Sequence, residues 1–243
     1  MKGLILAAGE GRRLRPLTLT RPKPMLPVAG RPLLEHIVVH LRHHGVTQLA
    51  INLYYKPNAV VAHLGNGRRW GVQILYSWEQ NLLGSAGAAK KIAWFFDQTF
   101  VVFYGDLYTE LNLRPLISFH RRRGALATVA LYEVPNPTAC GIVELDDHQR
   151  IRRFVEKPAP EEVFSNLANA GVYILEPAAL SFVPHRTFFD FGRDLFPLLL
   201  KSGLPVMGFP IHDPLIDIGT LEKYLALQQA YSVEPEVALA GVT

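Results

Sequence analysis

The sequence predicts an α/β fold of three αβα layers on a mostly parallel, mixed central sheet. Two observations carry this. Residues 3 to 8 form a continuous apolar run that ends in glycines, the pattern of a strand buried on both faces and followed by a tight loop. Short apolar runs then alternate with segments of helical periodicity through the first half of the chain, as in a sheet covered by helices on both sides. The 243 residues suffice for one such core, and 49% hydrophobic with 19% charged residues is the balance of a globular protein.

The elements follow in order. Leu33, Leu34, Ile37, Val38 and Leu41 recur at helical spacing in residues 32 to 44, and Gly45 is a natural stop. Strands are expected at 48 to 53 and 72 to 77, a helix at 86 to 96, and a short strand at 100 to 103 running into Gly105-Asp106. Strands at 126 to 132, 141 to 145 and 151 to 155 leave no room for helices between them, and another is expected at 169 to 175, so this half of the sheet is expected to be mixed. Residues 226 to 243 drift from helix into a tail; one domain over 1–230 with a tail at 231–243 is the simplest organisation.

Composition narrows the function. A net charge of +4 suits a small anionic substrate and lacks the dense basic stripe of a nucleic-acid binder, so no nucleic-acid partner is expected. No run approaches the roughly 18 apolar residues of a membrane span. The apolar start at residues 4 to 8 is cut short by Gly9-Glu-Gly-Arg-Arg, unlike a signal-peptide core. Cys140 is the one cysteine, so no internal disulfide forms. A cytoplasmic protein without a membrane partner is expected, and homo-oligomerisation stays open.

The first chemical signal is the glycine loop. Gly9 and Gly11 let backbone N–H groups approach a phosphate, and Arg12, Arg13, Arg15, Arg21 and Lys23 follow in a proline-stiffened segment. A dinucleotide turn would need a third glycine where Leu14 stands and a helix where Pro16, Pro22 and Pro24 stand. The triphosphatase loop would need a Gly-Lys-Ser/Thr that does not follow. The remaining readings are a polyphosphate site at the carboxyl end of the first strand, or a turn with solvated cations.

Further candidates lie at strand ends. Asp106 follows Val101-Val-Phe-Tyr-Gly, and Asp217 lies in Pro214-Leu-Ile-Asp-Ile-Gly-Thr. Two carboxylates with phosphate oxygens are a usual shell for Mg²⁺, whereas each aspartate alone is as readily a turn or helix cap. In Val155-Glu-Lys-Pro158, a cation beside a carboxylate suits a sugar phosphate or a surface charge pair. His36, His40 and His44 share a helix face away from the Leu33, Ile37 and Leu41 stripe; without a Cys or carboxylate among them they read as a solvated face. Arg121-Arg-Arg-Gly reads as a helix end, and Cys140 as a core or pocket-wall thiol.

Gly9-Glu-Gly-Arg-Arg-Leu-Arg-Pro-Leu-Thr followed by Pro22-Lys-Pro resembles the signature of the sugar-1-phosphate nucleotidyltransferases, or sugar-nucleotide pyrophosphorylases. Leu83-Gly-Ser-Ala-Gly87, Gly105-Asp106, Phe154-Val-Glu-Lys-Pro158, Asn169-Ala-Gly-Val-Tyr173 and Asp217-Ile-Gly-Thr220 are similar to the family's further motifs, so the resemblance covers roughly residues 1 to 230. It implies a Rossmann-like fold, a nucleoside triphosphate and a sugar 1-phosphate as partners, and Mg²⁺ held by Asp106 and Asp217. It implies that Leu6, Ala8, Gly9, Gly11, Arg13, Lys23, Glu79 and Gly84 bind the nucleotide. Gly87, Gly141, Glu156, Lys157 and Asn169 would bind the sugar phosphate. Arg13, Lys23, Asp106, Lys157 and Asp217 would carry the chemistry.

Glu79 falls where guanylyltransferase-like members also carry an acid, so a mannose-1-phosphate guanylyltransferase-like activity is expected first. Glucose-, heptose- or muramate-1-phosphate relatives, or a silent regulatory subunit that binds nucleotide-sugar, are the alternatives. Arg12 in place of Thr, Cys140 in place of Tyr, Leu215 in place of an aromatic and Ser85 in place of Thr depart from the family, and bear on the sugar more than on the chemistry. No hexapeptide β-helix repeats are seen, so no β-helix domain is expected.

Overall fold

A computed structural model describes residues 1–232. In chain order it contains β1 (Lys2–Leu6), a small hairpin of β2 (Pro27–Val28) and β3 (Arg31–Pro32), α1 (Leu33–His43), β4 (Gln48–Leu53), α2 (Pro57–Leu64), β5 (Gln73–Trp78), α3 (Gly84–Lys91) and β6 (Phe100–Tyr104). Then follow β7 (Leu107–Thr109), α4 (Leu113–Arg123), β8 (Ala127–Glu133), β9 (Gly141–Leu145), β10 (Ile151–Glu156), β11 (Leu167–Leu175), α5 (Phe196–Lys201), β12 (Val206–Pro210), β13 (Leu215–Asp217) and α6 (Leu221–Ser232).

The central sheet is mixed. β5, β4, β1 and β6 are parallel neighbours in that order. β11 joins β6 antiparallel and leads to β9 and β10, while β8 also pairs with β11 and carries β12. β7 and β13 form a separate antiparallel ribbon that pairs Asp217 with Leu107. The parallel half exists because β1, β4 and β5 are each followed by a helical crossover, through α1, α2 and α3, that returns the chain to the same end.

Burial explains the continuous apolar strands. Along β1, Ile5 faces one core with Ile51, Val101 and Phe103, packed by Leu34, Ile37 and Leu41 of α1 and Leu227 of α6. Its neighbour Leu4 faces the opposite core with Ala50, Phe100 and Val102, packed by Ala86 and Ala89 of α3 and Phe196 of α5. A strand residue on either face is therefore covered, each large side chain contributing about 1.5–3 kcal/mol. Gly45, at φ 77°, follows α1 and turns the chain into β4.

Several expectations are corrected. The helix expected over 86 to 96 is α3, Gly84–Lys91, followed by a separate turn at Ala93–Phe95 that brings Phe96 back to the core and leaves Trp94 exposed. α2 and α5 were not expected: each is short and carries proline in its first turn, which interrupts the apolar period. α6 runs unbroken over Leu221–Ser232, so the helix does not fade from 226 and reaches the start of the expected tail at 231–243, of which residues 233–243 lie outside the described residues. Among the described residues no helix is long and apolar enough to cross a membrane.

The histidine face of α1 is not a solvated one. His36 Nε2 bonds the Val28 carbonyl at 2.8 Å and its ring meets Tyr108 of β7 edge-on at 5.5 Å. His40 is half-buried, with Phe103 and His44 as ring neighbours at 6.0 and 4.6 Å. Among the described residues no group of three metal-ligating side chains forms. Burial and the neighbouring His44 and His43 push the His40 pKa down to about 4, opposed by a backbone contact at Leu111 and by Asp213.

His40 makes stability acid-sensitive. The folded chain holds it neutral, while the unfolded chain protonates it near its ordinary pKa, so stability is lost as pH falls from about 6.5 towards 4. Thermal melting between pH 7 and 4.5 is expected to show this loss, and His40→Gln to flatten it by on the order of 1–3 kcal/mol. An equally steep profile in the variant would remove His40 as the cause.

Candidate active site

The carboxyl ends of β1, β4 and β6 open into two adjoining cavities. The first, about 290 Å³, is lined by Leu6, Ala8, Gly9, Lys23, Glu79 and Gly84, with Asn52, Leu82 and Phe188 completing it. The second, about 300 Å³, is lined by Arg13, Gly141, Glu156, Lys157, Asn169 and Asp217, with Tyr132, Cys140 and Arg193. Tyr104, Asp106 and Asp190 line both. Every residue expected to bind nucleotide or sugar phosphate therefore borders a cavity, apart from Gly11 and Gly87.

At the junction lies a cation between two carboxylates. Lys23 sits in a tight turn between Pro22 and Pro24, 8% exposed. Its Nζ donates to Asp106 Oδ2 at 2.6 Å and reaches Asp217 Oδ1 at 3.5 Å. The ribbon explains how two aspartates so far apart in sequence meet. Asp106 immediately precedes β7, Asp217 ends β13 opposite Leu107, and the Ile218 N–H donates to the Asp106 carbonyl at 3.1 Å. Both aspartates are partly exposed, so their open oxygens face the cavities.

The glycine loop supplies donors beside this cluster. Among the described residues, the backbone N–H groups of Gly9, Glu10 and Gly11 have no acceptor in the protein. Gly11 adopts φ 64°, and a Cβ there would come within 2.9 Å of Thr18 Cγ2. Thr18 Oγ1 donates to the Gly11 carbonyl at 2.9 Å. Gly11 thus shapes the loop from outside the cavity. Consecutive free amides in a glycine loop that leads into Arg13 and Lys23 are backbone of the kind that can receive an anion.

Glu79 is buried in the wall of the first cavity. Its Oε1 accepts from Asn52 Nδ2 at 2.7 Å and its Oε2 from the Leu83 N–H at 2.9 Å. Asn52 Oδ1 in turn accepts from the Ala7 N–H at 2.8 Å. The carboxylate is thereby held at the loop's rim with one further lone pair on each oxygen.

The second cavity is set by β9, β10 and β11. Glu156 pairs with Gly141 across β9 and β10. Burial raises the Glu156 pKa, which Lys157 opposes and Asp190 reinforces. Lys157 has φ 51°, an unusual left-handed conformation for a lysine, and its N–H donates to the Cys140 carbonyl at 2.9 Å. A register shift in β11 after Asn169 turns that side chain towards the cavity. Asn169 Oδ1 accepts from the Gly171 N–H at 2.9 Å and Nδ2 donates to the Tyr173 hydroxyl at 2.8 Å, leaving one amide N–H.

Gly87 serves packing. It lies buried in α3, where a Cβ would come within 2.7 Å of the Thr187 carbonyl. The Ala86 and Gly87 N–H groups both donate to the Phe189 carbonyl, at 2.9 Å each. With the Ser85 N–H donating to Asp190 Oδ1, three amides of the first turn of α3 are taken up by protein. Asp190, Tyr104 and Asn52 were not singled out from sequence. Asn52 had a signal, as a polar residue inside an apolar strand; Asp190 and Tyr104 had none beyond their neighbours.

A family model described as nucleotidyl transferase matches residues 2–234. A UTP–glucose-1-phosphate uridylyltransferase from Synechocystis is 41% identical over 92% of the chain, which spans only 61% of that relative's length. A mannose-1-phosphate guanylyltransferase from Mycobacterium tuberculosis is 34% identical over 98% of the chain and 67% of its own. Among solved structures, a candidate glucose-1-phosphate thymidylyltransferase from Bacillus anthracis, complexed with sucrose, superposes with a TM-score of 0.87 at 26% identity, covering 99% of this chain and 98% of that one. HddC from Yersinia pseudotuberculosis, complexed with GMP-PN, does so at 0.79 and 26%, covering 95% and 99%.

Gly105 is a tight backbone constraint under the cavities, where β6 ends beside β1. Its N–H donates to the Leu6 carbonyl at 2.9 Å, and a Cβ would stand 2.7 Å from that same oxygen. Gly105→Ala is expected to destabilise the protein by about 1–3 kcal/mol, since both partners are main chain and neither can swing away. Denaturant unfolding measures this; an unchanged midpoint would show that β6 and β1 can part without loss.

Proposed function

The chain belongs to the nucleotidyl transferase family, and from that premise we propose that it converts a nucleoside triphosphate and a sugar 1-phosphate into a nucleotide-sugar and pyrophosphate. The observation that carries this reading is the junction of two cavities at Asp106, where the Lys23 ammonium stands between two carboxylates. Each cavity has room for one half of the product, and the reacting phosphates would meet at the charged cluster.

An oxygen of the sugar phosphate attacks the α-phosphorus in line. The new P–O bond forms as the bond to the β-phosphate bridge breaks, and the electron pair leaves with pyrophosphate. No protein nucleophile is needed; catalysis is positioning and charge stabilisation. Lys23 holds the reacting phosphates, Arg13 offsets charge on the triphosphate, and the Gly9 to Gly11 amides cradle it. Lys157, fixed by its left-handed backbone, orients the attacking phosphate.

Asp106 and Asp217 offer hard oxygen donors close enough for one ammonium to reach both, a donor set that fits Mg²⁺ completed by phosphate oxygens and water. When bound, the ion would neutralise phosphate charge that the lysine alone leaves uncompensated. The nucleoside triphosphate pool implies a cytoplasmic setting.

Guanine is the proposed base, because the open lone pairs of Glu79 suit its N1–H and exocyclic amino donors. Uracil and thymine present one N–H between two carbonyls, which a carboxylate repels. A mannose-type sugar 1-phosphate accompanies guanine in this reading. The Synechocystis relative favours a second one, uridylyl transfer to glucose 1-phosphate.

Pyrophosphate release is expected to require both a sugar 1-phosphate and a divalent ion. Asp106→Asn and Asp217→Asn should each lower turnover by at least roughly 10²-fold in folded protein, the scale of a lost electrostatic stabiliser. Near-normal turnover with magnesium as the sole metal would remove the two aspartates from the metal site. Arg13→Ala and Lys23→Ala should reduce turnover more than sugar-phosphate binding, whereas Lys157→Ala should mainly raise the sugar-phosphate KM; the reverse pattern in steady-state kinetics would overturn that division.

A matrix of four triphosphates against several sugar phosphates decides the base. Glu79→Gln is expected to cost on the order of 1–3 kcal/mol of guanine selectivity. A wild type that prefers UTP would replace the guanine reading by the second one.

A further inference from the structure

Asp190 stands where the two cavities meet, and its carboxylate is half used. Oδ1 accepts from the Ser85 N–H at 2.9 Å and from Ser85 Oγ at 3.0 Å, which fixes the plane of the group. Ser85 Oγ itself accepts from the Phe191 N–H at 2.9 Å, and the Asp190 N–H donates to Asp194 Oδ2 at 2.7 Å, so the side chain has little freedom. Among the described residues nothing donates to Oδ2.

Glu156 lines the same cavity. Cβ atoms added at Gly141 and Gly192 would come within 2.5 and 2.8 Å of its Oε2, so two glycines make the space this carboxylate fills. Among the described residues it too lacks a hydrogen-bond donor and an ion-pair partner. Both carboxylates bear on the Tyr104 hydroxyl, whose pKa burial, foremost, pushes up to about 12. Asp106 and Asp217 differ, being bridged by Lys23. The second cavity thus combines Lys157 and Arg193, which suit a sugar phosphate, with two carboxylates whose open oxygens call for donors.

We propose that Asp190 is a specificity-determining residue of the sugar cavity, accepting ring hydroxyls together with Glu156 and excluding sugar 1-phosphates that carry a carboxylate. The inference rests on the sugar-1-phosphate reading above and narrows its substrate class to neutral and amino sugars. A sugar hydroxyl donates to either carboxylate, whereas a sugar carboxylate offers no donor and meets two like charges lining the same cavity. Asp190 does this from a position that no sugar-facing motif in the sequence marks.

The test compares wild type with Asp190→Asn, which keeps Oδ1 for Ser85 and turns Oδ2 into a donor. Glucose 1-phosphate and mannose 1-phosphate are set against glucuronic acid 1-phosphate, by calorimetric binding and by pyrophosphate release at saturating triphosphate. Wild type is expected to bind a neutral probe and to reject the acid. The variant is expected to lose roughly 10–100-fold for the neutral probe, the scale of one hydrogen bond to a charged group, and to gain for the acid. The triphosphate KM and the Tm should stay within about twofold and about 2 °C of wild type.

An unchanged neutral-to-acid preference in the variant overturns the inference. So does a variant whose triphosphate KM and Tm shift while its sugar preference holds, which would leave Asp190 as a support for Ser85 alone. Binding with the expected preference but no pyrophosphate from any pair would sink the nucleotidyltransferase reading and leave this inference standing. Failure of the wild type to bind either neutral probe would sink this inference.

Discussion

The Lys23 ammonium between Asp106 and Asp217 is the interaction on which the rest of the site depends. Two carboxylates this close would repel each other, and the lysine makes their proximity tolerable. It draws three distant segments together: the proline-stiffened loop after β1, the end of β6, and the β13 arm of the ribbon. Because the ammonium is almost fully buried and the aspartates are not, charge is fixed on the protein side and left open on the cavity side. That asymmetry suits a phosphate better than a plain surface ion pair would.

Around this cluster the protein holds its walls with hydrogen bonds that leave spare capacity. Glu79 is tied by Asn52 and Leu83, Asp190 by Ser85, and Asn169 by Gly171 and Tyr173, yet each retains an open donor or acceptor towards a cavity. Such partial use places a polar group without spending it. The glycines act by subtraction. Gly105 lets β6 pass Leu6, Gly141 and Gly192 clear room for Glu156, and Gly84 lets α3 dock on Phe189, whose carbonyl would lie 2.6 Å from a Cβ.

Much of the fold was legible because its signals are local. The runs behind β1, β4 and β9 are bounded by glycine, polar or turn residues, and the α1 stripe has an unbroken period. The parts that were not legible are those where tertiary packing overrides pattern. α2 and α5 carry proline in their first turn, β13 is three residues long, and His36 of α1 meets Tyr108 of β7, an element whose position no local rule specifies. Within the site, residues in recognisable motifs lie along the cavities. Asp190 was invisible because its meaning comes from Ser85, a partner far away in sequence. Gly87 matched a motif whose motif-mates line the cavity, while it faces Thr187 behind it.

The β7–β13 ribbon stands apart from the nine-stranded sheet and is joined by three residue pairs. Two-stranded units are marginal on their own, and such elements open locally at free energies below that of global unfolding. The carboxylate that completes the cluster therefore rides on a short ribbon and not on the nine-stranded sheet. Opening of this ribbon alone would part Asp217 from Lys23 with the central sheet still in place, so the integrity of the cluster hangs on three residue pairs and not on the melting of the core.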